Sequence, residues 1–511
     1  MAATGRFQNK VPVQAAFGFA VILALAGCGD PAPQPESKVA PEQPVPVETL
    51  PADLPFVEED VPEDLYLHHR RELGGLDAIA ERRYLRALVV YSKTMFFYDR
   101  GRPKGIAYEA LSEFERFLNQ RLKTGRLKVH VVFVPVRREQ LIPNLTAGFG
   151  DIAVANLTVT PERLKMVDFS DPALDDVSEI VVTGPASPPL KTVEDLAGQE
   201  VHVRASSSYR EHLSQIDSRL QSSGNPPIRI MPVDERLEDE DILEMVNAGL
   251  LGITIVDRHK ADFWAKVFPA IRLHPEMTVH SGGEVAWAVR KDSPKLKQLI
   301  NDFLPGHRAG TSFGNTLLRR YFRNTKWVKN SVSEKEMQKF ESTVELFQKY
   351  ADQYDFDWLM IAAQAYQESG LDNNVKSRSG AVGIMQVLPA TAVAEPIGIS
   401  NPHLLERNVH AGVKILRHYR DAYFSEEGID EENRTLLAFA GYNAGPSRIN
   451  RIRKKAAAQG LDPNLWFDNV ERAVAREVGR ETVQYVSNVY KYYIAYRRIV
   501  QMGRGRDAIR P

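Results

Sequence analysis

Short runs of β-branched and apolar residues recur through the first part of the chain, at residues 88–91, 129–134, 152–154, 180–182, 201–203, 253–256 and 285–289. Runs of this length predict strands. Between some of them apolar residues return at helical spacing, as in Leu111, Phe114, Leu118 and Leu122. Strands alternating with helices predict an α/β architecture with a mostly parallel sheet. After residue 333 the strand runs stop. Met337, Phe340, Val344 and Phe347 make a helical stripe, and Tyr485, Val489, Tyr492 and Tyr496 make another. Asp357 is placed to cap a helix over 358–367 that buries Leu359, Ala362, Ala363 and Tyr366. The second part is therefore all-α, with a domain boundary near residue 330.

The N-terminus follows a different pattern. Arg6 and Lys10 precede an apolar stretch over 17–25, and Ala26, Gly27 and Cys28 follow it. A basic segment, a short apolar run and small residues read as a secretory signal, too short to span a membrane in the mature protein. Leu25-Ala26-Gly27-Cys28 resembles the lipobox of bacterial lipoproteins. That resemblance implies cleavage before Cys28, lipidation of its thiol and stable anchoring by several acyl chains. The acid stands at Asp30 and not directly after Cys28. In enteric-type sorting this points to the periplasmic face of the outer membrane. Residues 31–62 then hold nine prolines. Such a segment favours an extended polyproline conformation and, at about 3.1 Å per residue, reaches on the order of 100 Å.

Composition narrows the classes. The chain has 511 residues, 43% of them hydrophobic and 26% charged, which is globular and long enough for two or three domains. With 65 Lys and Arg against 66 Asp and Glu there is no overall electrostatic footprint for nucleic acid. The basic and aromatic stretch Leu318, Arg319, Arg320, Tyr321, Phe322 and Arg323, with Lys326, Trp327 and Lys329 beyond it, reads as an amphipathic interdomain segment. A single Cys excludes an intrachain disulfide and a zinc site built on several thiolates, and no metal or cofactor site is expected. No GxGxxG follows a strand and no GxxxxGK[ST] occurs, so neither a dinucleotide fold nor a P-loop is supported.

In the α/β part, residues 150–163 and the Val167-Asp168-Phe169-Ser170 that follows resemble the family 3 solute-binding proteins, which hold amino acids between two α/β lobes. Residues 80–86 also resemble that family's start. A strand end followed by hydroxyls and a cation suits a zwitterion: Thr158 can hydrogen-bond a carboxylate and Arg163 can grip it bidentately. The resemblance places Arg163 on the carboxylate-binding arginine, Ser207 and Ser208 on the second-lobe hydroxyls, and Asp257 on the acid that meets the α-amino group. Arg204 and Arg210 depart from the usual pattern, which opens the cleft to a ligand other than a free amino acid. The competing reading makes Arg163 and Asp257 surface or interlobe ion pairs around a vestigial cleft.

The helical part carries a series of motifs. Glu368-Ser369-Gly370 is followed by Ser377, by residues 380–386 (GAVGIMQ) and by 389–392 (PATA). Later come 441–445 (GYNAG) and 481–486 (ETVQYV). In this order they resemble the family 1 lytic transglycosylases, which have a lysozyme-like fold. Ile384 stands for the usual Leu, and Gly441 for the usual Ala, with little change of size or polarity. The resemblance implies that Glu368 is the catalytic acid and base. It also implies that Ser377, Gln386, Tyr442, Asn443 and Tyr485 line a glycan groove, and that Met385 packs beneath the saccharide. Independently of it, Glu368 closes a largely apolar helix, where desolvation favours the protonated form that a general acid needs. Asp372 reads as a loop acid beyond the turn at Gly370.

These readings predict a multidomain protein, a two-lobed α/β periplasmic-binding-protein-like domain followed by an all-α lysozyme-like domain. Residues 1–27 are the signal, 28–73 the tether, 74–330 the non-catalytic binding domain and 331–511 the catalytic domain. The expected partners are peptidoglycan strands, a stem peptide or amino acid in the binding domain, and the outer membrane through the lipid anchor. The expected activity is cleavage between N-acetylmuramic acid and N-acetylglucosamine with a 1,6-anhydro product. One alternative is a sensor lipoprotein whose helical part grips glycan without cutting it. The other is a hydrolase. The lipobox reading predicts that Cys28→Ala moves the protein from membranes to the soluble periplasm while lysis in vitro continues. Fractionation with high-salt washing checks it, and a variant that still sediments places the anchor elsewhere.

Overall fold

The predicted strand runs pair into one sheet, with boundaries moved by buried polar residues. The computed structural model describes residues 71–99, 102–322 and 333–507. The signal, Cys28, most of the tether, the boundary near 330 and Arg323, Lys326, Trp327 and Lys329 lie outside the described residues.

The strands are β1 (Tyr84–Val89), β2 (Phe97–Asp99), β3 (Arg102–Lys104), β4 (His130–Pro135), β5 (Ile152–Thr158), β6 (Asp168–Phe169), β7 (Leu174–Thr183), β8 (Glu200–Arg204), β9 (Arg229–Val233), β10 (Ile253–Asp257) and β11 (Arg272–Val289). β2 and β3 form a separate hairpin. The main sheet runs β4-β1-β5-β11-β7-β10-β8-β9, with β6 beside β11. β1 starts four residues before the predicted run. The reason is Arg86, which is wholly buried in mid-strand and donates to Asp151 Oδ1 at 3.0 Å. A paired charge hides the strand from an apolar pattern.

The sheet is mixed, which corrects the expectation of a mostly parallel one. β1 pairs in parallel with β4 and β5, and β8 with β9 and β10. Every pairing of β7 or β11 is antiparallel. These two strands link a first lobe built on β4-β1-β5 to a second built on β10-β8-β9. A chain that crosses to a second lobe and returns must run in opposite directions along the crossing.

Around the sheet lie α1 (Leu76–Arg82), α2 (Ile106–Leu122), α3 (Leu141–Thr146), α4 (Pro161–Met166), α5 (Ser208–Ser222), α6 (Asp239–Asn247), α7 (Arg258–Trp264), α8 (Pro294–Phe303) and α9 (Ser312–Phe322). α2 buries Leu111, Phe114 and Leu118 of the predicted stripe. The helical part comprises α10 (Glu334–Tyr354), α11 (Trp358–Ser369), α12 (Pro389–Val393), α13 (Leu405–Tyr423), α14 (Glu431–Ala444), α15 (Pro446–Ala457), α16 (Glu471–Glu477) and α17 (Arg480–Asp507). Asp357 caps α11, its Oδ1 accepting from Leu359 N at 2.9 Å. Gly370 ends it in the left-handed conformation, φ +67°, where a side chain would be strained. α17 lies along α11, with Tyr492 edge-on to Tyr366 at 4.7 Å between ring centroids.

The described residues belong to one compact unit, and α6 sits where its parts meet. Its first turn carries Asp239, Glu240 and Asp241 after the capping Glu238, and Glu244 follows one turn on, all buried. Negative charge suits a helix N-terminus. Glu238 accepts from Arg138 of the first lobe at 2.6 Å, and Glu240 from Ser92 Oγ at 2.8 Å. Asp239 pairs within the second lobe with Arg204 and with Lys260 at 2.7 Å. Asp241 meets Lys93 of the first lobe at 3.1 Å and Lys491 of α17 at 2.8 Å. Burial alone would raise the Asp239 pKa, but Lys260, Arg204 and Arg138 outweigh it and hold the group far below the usual carboxylate range. Removing one partner of a buried ion pair strands the others. Asp239→Asn should therefore lower stability by about 3–5 kcal/mol, read as a lowered denaturation midpoint.

Candidate functional site

Glu368 is the penultimate residue of α11, and its neighbours come from three other segments. On α17, the Tyr485 hydroxyl donates to Glu368 Oε1 at 2.6 Å. On α14, Tyr442 lies near enough that burial and the Glu368 charge together push its hydroxyl pKa well up. Tyr442 donates to the Met385 carbonyl at 2.8 Å. Burial raises the Glu368 carboxyl to about 7, and the Tyr485 hydrogen bond only partly opposes it. No charged side chain among the described residues pairs with it. The site thus holds a carboxyl that keeps a substantial protonated fraction near neutrality, where an ordinary carboxyl is ionised.

The loop over 375–387 is the third neighbour, and buried polar contacts hold its shape. Ser369, next to Glu368, donates to the Ile384 carbonyl at 2.8 Å. Asn408 on α13 is fully buried; it accepts from Met385 N at 2.8 Å and donates to the Val382 carbonyl at 2.8 Å. A Cβ at Gly383 would meet Asn408 Nδ2 at 2.2 Å, so the glycine is required for this close approach. Met385 is fully buried against Gly412, where a Cβ would come within 2.7 Å of it. Gln386, at φ +49°, turns its amide back on the loop, donating to the Gly383 carbonyl at 2.8 Å. Ser377 Oγ accepts from Ala381 N at 3.0 Å. Asn443 is exposed at the end of α14, and its Oδ1 accepts from Thr482 Oγ1 at 2.8 Å.

The structure therefore brings Glu368, Tyr485, Tyr442 and Met385 into one connected cluster, with Ser377 and Gln386 on the adjoining loop. Asp372 is in a turn, where its Oδ1 accepts from Asn374 N at 2.9 Å. Sequence reading missed Asn408 and Gln364. Each is a polar residue among apolar ones on a helix, which was the only available signal.

The five cleft residues are all buried. Arg163 donates through Nη1 to the Thr158 carbonyl at 2.8 Å and through Nη2 to the Ser206 carbonyl at 3.0 Å, the second bond crossing between lobes. Burial lowers its pKa. Ser208 Oγ lies 2.8 Å from Glu179 Oε1 and 3.3 Å from Thr158 Oγ1. Ser207 caps α5, accepting from Arg210 N at 3.3 Å. Asp257 Oδ2 accepts from Asn156 at 2.9 Å and pairs with Lys260 at 3.0 Å, while its Oδ1 is buried with no hydrogen-bond partner. Apart from Asp257 Oδ1, these side chains bond to groups of the protein itself. Glu179, which also holds His212 at 2.7 Å, is a cleft acid that the sequence reading did not name.

A model of the bacterial extracellular solute-binding proteins, family 3, matches residues 89–324, and one of the transglycosylase SLT domain matches residues 345–464. Tyr485 lies beyond the second match, and only the packing of α17 brings it to Glu368. The membrane-bound lytic murein transglycosylase F of Desulfosudis oleivorans is 27% identical over 456 residues, covering 84% of this chain and 93% of that protein. The protein of the same name from Ectopseudomonas mendocina is 26% identical over 442 residues, covering 82% and 85%. Among solved structures, an ancestral arginine-binding protein bound to arginine covers 47% of this chain and 99% of its own, with 22% identity and a TM-score of 0.39. With two family models matched in tandem and relatives of one name aligned along most of its length, the chain joins a family 3 solute-binding domain to a transglycosylase SLT domain, in the manner of membrane-bound lytic murein transglycosylase F.

Proposed function

We propose that this chain is a peptidoglycan lytic transglycosylase in which Glu368 is the sole acid and base. The observation that carries the reading is the desolvated Glu368 carboxyl, raised to about 7, with Tyr485 bonded to one oxygen and no second carboxylate among the described residues paired with it. Most glycosidases need two carboxylates. One suffices when the substrate supplies the rest. Protonated Glu368 gives its proton to the glycosidic oxygen between N-acetylmuramic acid and N-acetylglucosamine, and the bond from C1 to that oxygen breaks. The 2-acetamido group stabilises the cation at C1. The Glu368 carboxylate then takes the proton of the muramic acid 6-hydroxyl, whose oxygen bonds to C1. The 1,6-anhydro product forms without water, and Glu368 is protonated again. Ser377, Gln386, Tyr442 and Asn443 line the glycan groove in this reading, with Met385 beneath it.

Residues 74–330 are the regulatory binding domain in the same reading and 331–511 the catalytic one. The Asp257 Oδ1 without a partner suits the ammonium group of an amino acid or stem peptide. Its carboxylate would replace the carbonyls now held by Arg163. Residues 28–73 tether the domains to the outer membrane through Cys28. No helix among the described residues is long and apolar enough to cross a membrane.

Glu368→Gln keeps size and shape and removes the proton. It should fold normally and lose about 10²–10⁴-fold of the lytic rate. More than about a tenth of the rate remaining assigns the acid elsewhere. Because the protonated form starts the reaction, the parent's rate should fall as pH rises through about 7. Mass spectrometry of the muropeptides should find anhydro ends; ends carrying an added water establish a hydrolase. In calorimetric titration of the full chain with stem peptides, Arg163→Ala should abolish the heat of binding. A parent that binds none of them at millimolar concentration refutes the ligand reading.

A further inference from the structure

α11 is apolar along its buried face except at Gln364, which has 0% of its surface exposed. Gln364 precedes Glu368 by four residues, so the two side chains share one helix face. Gln364 Nε2 donates to the Tyr485 hydroxyl oxygen at 3.2 Å, and that hydroxyl donates to Glu368 Oε1 at 2.6 Å. Gln364 Oε1 is buried and has no hydrogen-bond partner. An unpaired amide oxygen in a core lowers stability. A Met or Leu would fill the same space without that penalty. The contact with Tyr485 is what the amide has and an apolar side chain lacks.

We propose that Gln364 is a positioning residue for the acid–base reaction: its amide N–H occupies the acceptor side of the Tyr485 hydroxyl and so directs the one phenolic proton to Glu368. The proposal rests on Glu368 being the acid. A phenol has one proton to give and can also accept. Were Oε1 of the amide turned to Tyr485, two acceptors would compete for that proton and the amide N–H groups would lose their acceptor. With the N–H in place the proton has one destination. Two consequences follow for Glu368. While the carboxyl is protonated, the bond from Tyr485 occupies Oε1 and leaves Oε2 to carry the reacting proton. Once the proton has gone to the leaving oxygen, the same bond stabilises the carboxylate, and donation from Gln364 strengthens it by polarising the phenol.

Among the described residues, the titratable groups that act on Glu368 are Tyr485 of α17, by its hydrogen bond, and Tyr442 of α14, through space, and neither is a charged side chain. A change at 364 is therefore read through Tyr485. Donation to a carboxylate lowers its pKa. Weakening it raises the pKa and moves the high-pH limb of the rate profile upward.

The test uses the full-length chain with Gln364→Met, Tyr485→Phe, the double variant and Glu368→Gln, assayed on purified peptidoglycan across pH beside melting curves. Gln364→Met should melt no lower than the parent, since it removes an unpaired buried oxygen. Its kcat should fall about 5- to 20-fold with KM unchanged, and its high-pH limb should move up by about half a unit. On the Tyr485→Phe background the same substitution should shift the limb no further. An unmoved limb with the parent's kcat overturns the proposal. So does an equal shift on the Tyr485→Phe background, or a melting temperature several degrees lower, which marks a packing residue. Glu368→Gln separates a failure of the acid assignment from a failure of the Gln364 role. If it is active, the acid is elsewhere and the role of Gln364 falls with it. If it is inactive while Gln364→Met behaves as the parent, only the role of Gln364 is lost.

Discussion

The charged N-terminal turn of α6 is the constraint on which the arrangement of the molecule depends. Glu238, Asp239, Glu240, Asp241 and Glu244 are buried within two helical turns. Left to themselves, five carboxylates so placed would repel one another and resist desolvation. They are tolerated because their donors come from different bodies: Arg138, Ser92 and Lys93 from the first lobe, Arg204 and Lys260 from the second, and Lys491 from α17. Glu240 has the least cationic help, and burial with Asp241 and Glu238 nearby raises its pKa. Parting the lobes would strip Glu238 and Glu240 of first-lobe donors on the same turn that holds Lys491. The placement of the lobes and of α17 is thus tied to one small set of charges.

The same physics, with the counter-ions removed, gives Glu368 the character of the acid proposed for it. Asp239 and Glu368 are both carboxyl groups taken out of water. Two cations bond Asp239, and it stays ionised. Glu368 has, among the described residues, only a phenol bonded to it, and burial prevails. Environment, not residue type, decides which acid is structural and which can give a proton. The α17 helix joins these settings. Lys491 reaches the acidic turn, and Tyr485 reaches Glu368.

The loop beside Glu368 is held by a third means. Backbone groups of Val382 and Met385 are satisfied by Asn408, and Ile384 by Ser369. A loop so tied presents its residues at a fixed place without forming a helix or strand, which suits the glycan-lining role proposed for it.

Much of this was legible along the chain. Apolar spacing located β4, β5, β8 and β10 within a residue at their starts, together with α11 and its Asp357 cap, because local burial repeats with the period of the element. The order of short motifs from Glu368 to Tyr485 marked the helical part's chemistry. Local pattern failed where a polar residue is buried by a distant partner: Arg86 hid the start of β1, and Gln364 and Asn408 passed for ordinary helix positions. The directions of β7 and β11 depend on the crossing between lobes, which no single run of residues records. Tyr485 and Glu368 stand 117 residues apart, and their meeting depends on how α17 lies against α11. Sequence by itself determined which elements form and which residues are chemically able. Tertiary packing decided which of them lose water and which partners remain to them, because desolvation and hydrogen bonding are set by neighbours in space.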